Sequence, residues 1–497
     1  MKHISKYIAG LSLVALVSSC SLNKEPHNGI KDEDILNDET KWPAATAGNY
    51  SLLKEQNFTR NYFQMGEYPS DDIALSGATT DPLFYSYTYG HLVNQGNGNQ
   101  IWRMGYKAIG GCNRLMAVMP EGKSAAINQL IGENLFIRAF VHFSLVRTFG
   151  RPYSQSPETN LGIPVITKYD VTELPKRNTV KEVYAQIIAD LTRARRLMNN
   201  DNTNSYASKD AAMALLARAY LYRGQNDSAR IFADSVIRGG RHPLVPTSDL
   251  PTYYTKGNEG NKETIFAIRH MVSDDRDWSS IGSMYYMSPG GLGYGEAYAS
   301  ESYRKLLDKY PTDVRHAFVQ PVYLKNQFGK DSVNPTTGKK VLATRGKENN
   351  KVEKWYILKY SNQDNIPTLS SPVVLRAAEM YLIRAEAYAK EGNKELALED
   401  VNTIRMRAGL SGDALFSTSD LKGYASVLDV VLDERRLELA FETHRVFDLF
   451  RNNKNIFRDY NGVHPDHPQT IRYTDARVVH YIPEQEILLN RNLEQNP

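Results

Sequence analysis

Three features of the 497-residue sequence predict a mainly α protein: stacked helical hairpins carrying an irregular, loop-rich layer with a few short strands. Apolar residues recur at spacings of three and four through residues 209–239, the same pattern returns 168 positions later, and between about 240 and 372 it gives way to short runs punctuated by glycine. With 41% hydrophobic and 23% charged residues, the chain can bury a large core. Sixty basic against 56 acidic side chains leave +4, too little charge for a nucleic-acid clamp. Two cysteines, Cys20 and Cys112, cannot form a disulfide framework.

The elements follow in chain order. Lys2 and Lys6 precede ten mostly apolar residues, 8–17, and small residues then lead into Cys20. This reads as an export signal over 1–19 whose end resembles a bacterial lipobox, with Cys20 acylated and the chain cut before it. The apolar run is shorter than the roughly 20 residues that span a bilayer. Residues 20–41, with Pro26, Gly29 and the charged stretch Lys31-Asp-Glu-Asp34, read as a lipidated tether, and 42–497 as one domain. Within it, helical repeats are expected over about 101–239 and 374–451. Residues 101–119 and 125–149 form one candidate hairpin, and 180–198 should lie beside the next. Trp102, Tyr106 and Ile109 recur at helical spacing and should be core, with Cys112 a small packed residue.

In 209–239, Leu215, Ala219 and Tyr222 are followed by the turn Arg223-Gly224-Gln225 and then by Ala229, Phe232, Ala233 and Val236. The second copy pairs Ala217 with Ala385, Ala219 with Ala387, Tyr220 with Tyr388, Gly224 with Gly392 and Ala229 with Ala397. Both resemble tetratricopeptide units, in which small residues let two helices approach and a lone hairpin needs neighbours to cover its apolar face. The glycine-rich stretch between them holds two strand-like runs, 264–268 and 355–359, and could pack across the scaffold as a ligand-facing insertion.

Four passages then become specific. Residues 132–150 are followed by Leu161-Gly-Ile-Pro-Val165; residues 375–388 lead to Val401-Asn-Thr-Ile-Arg405 and Arg407-Ala-Gly-Leu410; Asp433-Glu-Arg-Arg-Leu-Glu-Leu-Ala-Phe-Glu442 precedes Arg445-Val-Phe-Asp-Leu-Phe-Arg451; and Tyr481-Ile-Pro-Glu-Gln-Glu-Ile487 precedes residues 492–497. In this order, and with the lipobox, they resemble the SusD/RagB family of outer-membrane nutrient-binding lipoproteins. Arg491 departs from the family, which often has proline there. The resemblance implies a tetratricopeptide-like scaffold with an irregular binding face, anchored by its lipid at the cell surface. It also implies that the protein caps a SusC-like TonB-dependent transporter and passes it an oligomeric nutrient.

Several residues of chemical type have structural uses that fit their spacing better. Glu434, Glu438 and Glu442, with Arg435, Arg445 and Asp448, could suggest paired catalytic carboxylates, but spacings of three and four favour salt-bridge ladders along a helix. His464 and His467, interrupted by prolines, lack the spacing that presents two ligands to one metal and read as a solvated loop. Asp274-Asp-Arg-Asp277 lacks the rest of a calcium loop. No metal, cofactor or catalytic residue is expected.

Tyrosine is the functional signal. There are 31 tyrosines against 16 phenylalanines, and a purely apolar core has no need of so many hydroxyls. One cluster is the alternating run 84–89, which as a strand would place Tyr85, Tyr87 and Tyr89 on one face, with Asp72 bordering it. The other runs from Trp278 to Tyr298, with Tyr285, Tyr286 and Tyr294 among glycines and Arg276 just before. Such faces suit an oligosaccharide, or a peptide, gripped without cleavage. A surface scaffold without a small ligand and a glycosidase are the other readings.

Overall fold

The computed structural model describes residues 35–75, 83–199, 203–346, 348–464 and 467–497. The export signal, Cys20 and the tether up to residue 34 therefore lie outside the described residues.

The helices are α1 (Trp42–Lys54), α2 (Gln56–Glu67), α3 (Leu83–Thr88), α4 (Gly96–Val118), α5 (Ala125–Phe149), α6 (Val180–Leu197), α7 (Lys209–Tyr222), α8 (Asn226–Arg238), α9 (Glu301–Leu307), α10 (Ala377–Glu391), α11 (Lys394–Arg407), α12 (Val427–Glu438), α13 (Arg445–Arg451) and α14 (Glu484–Leu489). Local chemistry sets their ends. The Ser124 and Ser208 hydroxyls accept the Ile127 and Ala211 N–H groups at the starts of α5 and α7, and Thr179 with Glu182 closes a reciprocal cap on α6. Gly224 and Gly392 take positive φ, +70° and +85°, at the two hairpin turns the repeat marked.

The helices pack in series: α4 on α5, α5 on α6, α6 on α7, α7 on α8, α8 on α10, and α10 on both α11 and α12. Ala217, Ala219, Ala229, Ala385, Ala387 and Ala397 are fully buried where these helices meet. Helix α5 is buried almost all round and fills the centre with Leu135, Phe136, Phe140 and Phe143. Arg218 of α7 and Glu379 of α10, both buried, join the two hairpins through two 2.6 Å bonds. Trp102, Ile109 and Cys112 are core, as their spacing predicts.

The α8–α10 contact skips the irregular layer. That layer is closed at its base by strand β2 (Thr264–Ala267), which pairs antiparallel with β8 (Val373–Arg376) immediately before α10. The remaining strands are equally short and also form two-stranded antiparallel sheets: β1 (Ile73–Leu75) with β3 (Ala297–Ala299), β4 (Val319–Pro321) with β7 (Trp355–Ile357), β5 (Thr344–Arg345) with β6 (Val352–Glu353), and β9 (Ile456–Phe457) with β10 (Thr470–Ile471).

Three expectations are corrected. Residues 83–88 are helical, not a strand, so Tyr85, Tyr87 and Tyr89 do not share a face. Tyr87 turns inward to a hydrogen bond with His464 Nδ1 at 2.9 Å, and Tyr89, at φ +56°, donates its hydroxyl to the Pro69 carbonyl. His464 is thus buried rather than in a solvated loop. The glutamates of 434–442 do not pair along their own helix either. α12 ends at Glu438, and all three point inward to cations from distant segments. Glu434 receives Arg315 and Arg405 at 2.7 and 2.8 Å, Glu438 receives Arg376, Arg407 and Arg315, and Glu442 receives Arg376 and Lys359 at 2.9 and 2.6 Å. Arg435 instead bonds Asp448, and Arg445 bonds Asp71. Burial of Glu438 would raise its pKa, but the surrounding guanidiniums outweigh it and hold the carboxyl far below the usual range. Such carboxylates hold the fold together and cannot meet a substrate.

Candidate ligand-binding surface

The aromatic cluster of 278–298 divides by burial. Its anchor is Tyr285, which is fully buried and packs between Tyr68 and Tyr360, each ring centroid 5.9 Å away. With Ile281 and Met284 it pins the segment to the core. Trp278 and Tyr294 stay outside, 44% and 47% exposed, with ring centroids 4.9 Å apart at 63°. An edge-to-face pair of this kind contributes about 0.5–1.5 kcal/mol beyond the area it buries.

Ser283 fixes the pair from beneath. Its hydroxyl donates to the Trp278 carbonyl at 2.6 Å, and its own carbonyl accepts the N–H groups of Tyr294 at 2.6 Å and Gly295 at 3.0 Å. A single buried residue thereby ties both ring-bearing backbones. The chain returns to it through a tight turn in which the Leu292 carbonyl accepts the Ser288 N–H at 2.8 Å. Gly293 is required for that return: its φ is +99°, and a Cβ there would stand 2.2 Å from the Tyr286 carbonyl oxygen. Tyr286 is half-buried, edge-on to Tyr356 at 5.6 Å, and Met287 beside it is exposed.

Next to the pair, Lys54, Arg60, Asp274, Arg276, Ser279 and Ser280 line a shallow cleft of about 30 Å³. Lys54 Nζ meets the Asp274 carboxylate at 2.6 Å, and Asp275 accepts the Thr368 hydroxyl at 2.8 Å. The cleft holds little more than one water. A ligand here would lie across the rings and bond to the polar rim, so the arrangement is an open platform.

Burial removes four expected contact residues. Tyr285, Tyr87, Tyr89 and Asp72 are all buried. Asp72 sits under an Arg436 guanidinium at 2.6 Å, while Asp71 takes Arg445 and Arg436, so the acidic pair ties the start of β1 to α12 and α13 instead of bordering a binding face. Tyr85 keeps an exposed ring but lies on α3 against Phe84, and among the described residues it makes no ring contact with Trp278 or Tyr294. Trp278, Tyr294 and Arg276 are exposed, with Tyr286 alongside. The sequence reading missed Met287, Lys54 and Ser283; only exposure and hydrogen bonding mark them.

Comparison with known proteins agrees with this architecture. Residues 262–497 match the SusD family model, and residues 22–221 match a second model described as starch-binding associating with outer membrane. SusD-like protein P38 of Formosa agariphila is 24% identical in an alignment covering 100% of this chain and 99% of that protein. Two solved SusD superfamily proteins superpose closely. One, from Bacteroides thetaiotaomicron, has a TM-score of 0.78 at 27% identity, covering 92% of this chain and 99% of that one. The other, from Bacteroides vulgatus, has 0.77 at 28%, covering 92% and 98%. With both halves of the chain matched, helical hairpins stacked across an irregular insertion, and that fold shared over nine-tenths of its length, the protein belongs to the SusD family.

Proposed function

We propose that this protein is a non-enzymatic surface lipoprotein, anchored in the outer membrane through Cys20 and facing outward, that binds an oligosaccharide and delivers it to a SusC-like TonB-dependent transporter. The observation that carries the binding step is the Trp278–Tyr294 pair. Two large rings stand exposed on a turn whose backbone is pinned by Ser283, so their order is settled before a ligand arrives. Sugar rings present C–H faces that stack on aromatic planes, and their hydroxyls can reach Arg276 and the serines of the cleft rim. The starch-binding description of the family model over residues 22–221 supports the carbohydrate reading.

Titration calorimetry against a glycan panel and a peptide panel tests it. Saturable binding to at least one oligosaccharide, without turnover, is expected. Binding to peptides alone, or measurable glycan cleavage, would overturn it. Co-purification with a large outer-membrane barrel from the native host tests the delivery step.

A further inference from the structure

The insertion carries a basic arm beside the aromatic platform. Between Val322 and Lys354 the sequence holds eight Lys or Arg against three Asp or Glu, an excess of five in a chain whose whole net charge is +4. The arm is a three-stranded ribbon: the Leu324 N–H donates to Val341, Val341 to Ser332, and Ser332 back to Leu324, at 2.8–2.9 Å. Its charges are incompletely paired. Asp331 takes both Lys325 and Lys340, Glu348 takes Lys351, and Glu353 is drawn off by Arg304 of α9. Lys330 and Lys339 are exposed, and neither has an anionic partner among the described residues.

The base of this arm is continuous with the platform. Arg345 bonds Glu296 at 2.6 Å, Tyr356 packs edge-on to Tyr286, and Tyr356 also lies against Gly295, one residue after Tyr294. Lys354 is half-buried at this junction, close to Arg345 and without an anionic hydrogen-bond partner among the described residues. Burial first, and then the charge of Arg345, pull its pKa below the ordinary lysine value. Glu296, already bonded to Arg345, offsets this only in part, so an anion arriving there would stabilise the charged lysine.

We propose that the oligosaccharide held at the Trp278–Tyr294 platform is polyanionic, with uronate carboxylates or sulfate esters engaging Lys354 and, farther out, Lys330 and Lys339. This rests on the reading of the platform as an oligosaccharide site. Exposed Phe328, Leu324 and Val333 on the same ribbon would also suit an anionic membrane surface, but the base of the arm is joined through Arg345 and Tyr356 to the turn that carries Tyr294, which favours a ligand shared with the rings.

The test uses the full chain and matched panels. One contains oligogalacturonate, oligoalginate and sulfated galactan oligomers; the other contains their carboxyl-reduced or desulfated forms. Binding to at least one acidic oligomer is expected, about tenfold tighter than to its neutral form at 50 mM salt and weakened by 500 mM salt. K330Q/K339Q, at two exposed sites that should not disturb folding, and K354Q should each weaken the acidic oligomer several-fold and leave neutral oligomers unchanged, while W278A weakens both. Preference for neutral oligomers would overturn this inference and leave the oligosaccharide reading standing; no glycan binding at all would end both. Lysine-dependent binding to phosphatidylglycerol vesicles, with acidic oligomers unaffected by the same substitutions, would reassign the arm to membrane contact and overturn the inference.

Discussion

Replacing Trp278 with alanine should weaken oligosaccharide binding by between tenfold and a hundredfold. The indole is 44% exposed in the free protein, and of the roughly 250 Å² that a large aromatic side chain can bury, that fraction is about 110 Å². Covering all of it at about 25 cal/mol per Å² gives a ceiling of about 2.8 kcal/mol, or about a hundredfold in affinity. A sugar stacked on one face covers about half, leaving about 1.4 kcal/mol, a factor of about ten. The substitution also takes away the edge that orients Tyr294, which pushes the loss above the one-face value. The assay is titration calorimetry of W278A and W278F against the best ligand of the wild-type protein, with thermal melts to establish that both variants are folded. W278F should lie between wild type and W278A, because it keeps a smaller apolar face. A change below about twofold for a folded W278A would refute the platform argument.

Three further outcomes follow from other parts of the structure. Glu438→Gln should lower the free energy of unfolding by about 3–5 kcal/mol, the cost of removing one partner from a buried ion pair; Arg315 and Arg376 keep other carboxylates, but Arg407 is left with Glu263 at 3.7 Å, and urea unfolding showing a loss below about 1 kcal/mol would contradict the network's role. Glu67 is buried and, among the described residues, has no ion-pair partner and accepts the Ser70 hydroxyl and the Thr443 N–H, and burial, then the charge of Asp72, push it up to about 8. The folded state therefore holds a proton that the unfolded chain gives up near the usual glutamate pKa of about 4.3, so this group's stabilising contribution, full below that pH, drains away as the pH rises to 8. The melting temperature of Glu67→Gln relative to wild type should thus climb between pH 5 and 8, and a flat difference would sink the assignment. Gly293→Ala should shift the turn off the Tyr286 carbonyl and cost binding as W278A does, with a loss of stability of about 1 kcal/mol or more from the strained backbone; wild-type affinity in the folded variant would show that the turn does not set the rings.

The hairpins were legible because their signals are local. Alanine and glycine at fixed spacing define close packing and a turn whatever lies elsewhere in the chain, and Gly224 and Gly392 take the backbone angles their positions imply. Burial was not legible, since it depends on distant partners. Glu438 looks like a surface residue next to its own helix neighbours, yet its cations come from Arg376 and Arg315, 62 and 123 positions away. The run 84–89 alternates as a strand should, and the pocket formed with His464, 377 positions on, overrides that pattern. Tyrosine enrichment pointed to the segment 278–298, but it could not separate Tyr285, which anchors the loop, from Tyr294, which the loop displays. The hydroxyl of Ser283 carries no sequence mark at all, because its partners are backbone atoms.

α8 rests directly on α10 and the strand pair β2–β8 clasps the excursion at its root, so the helical stack runs on across an intervening chain of about 140 residues that is tied back to it at buried points such as Tyr285, Arg315 and Lys359. Joining the ends of a flexible segment costs only about 0.6 kcal/mol more each time its length doubles. Exposed loops between those buried points can therefore be lengthened, shortened or exchanged with little burden on the helical stack. The molecule is built like a handle with interchangeable jaws, in which exposed loops can drift while the helical stack that carries them stays constant.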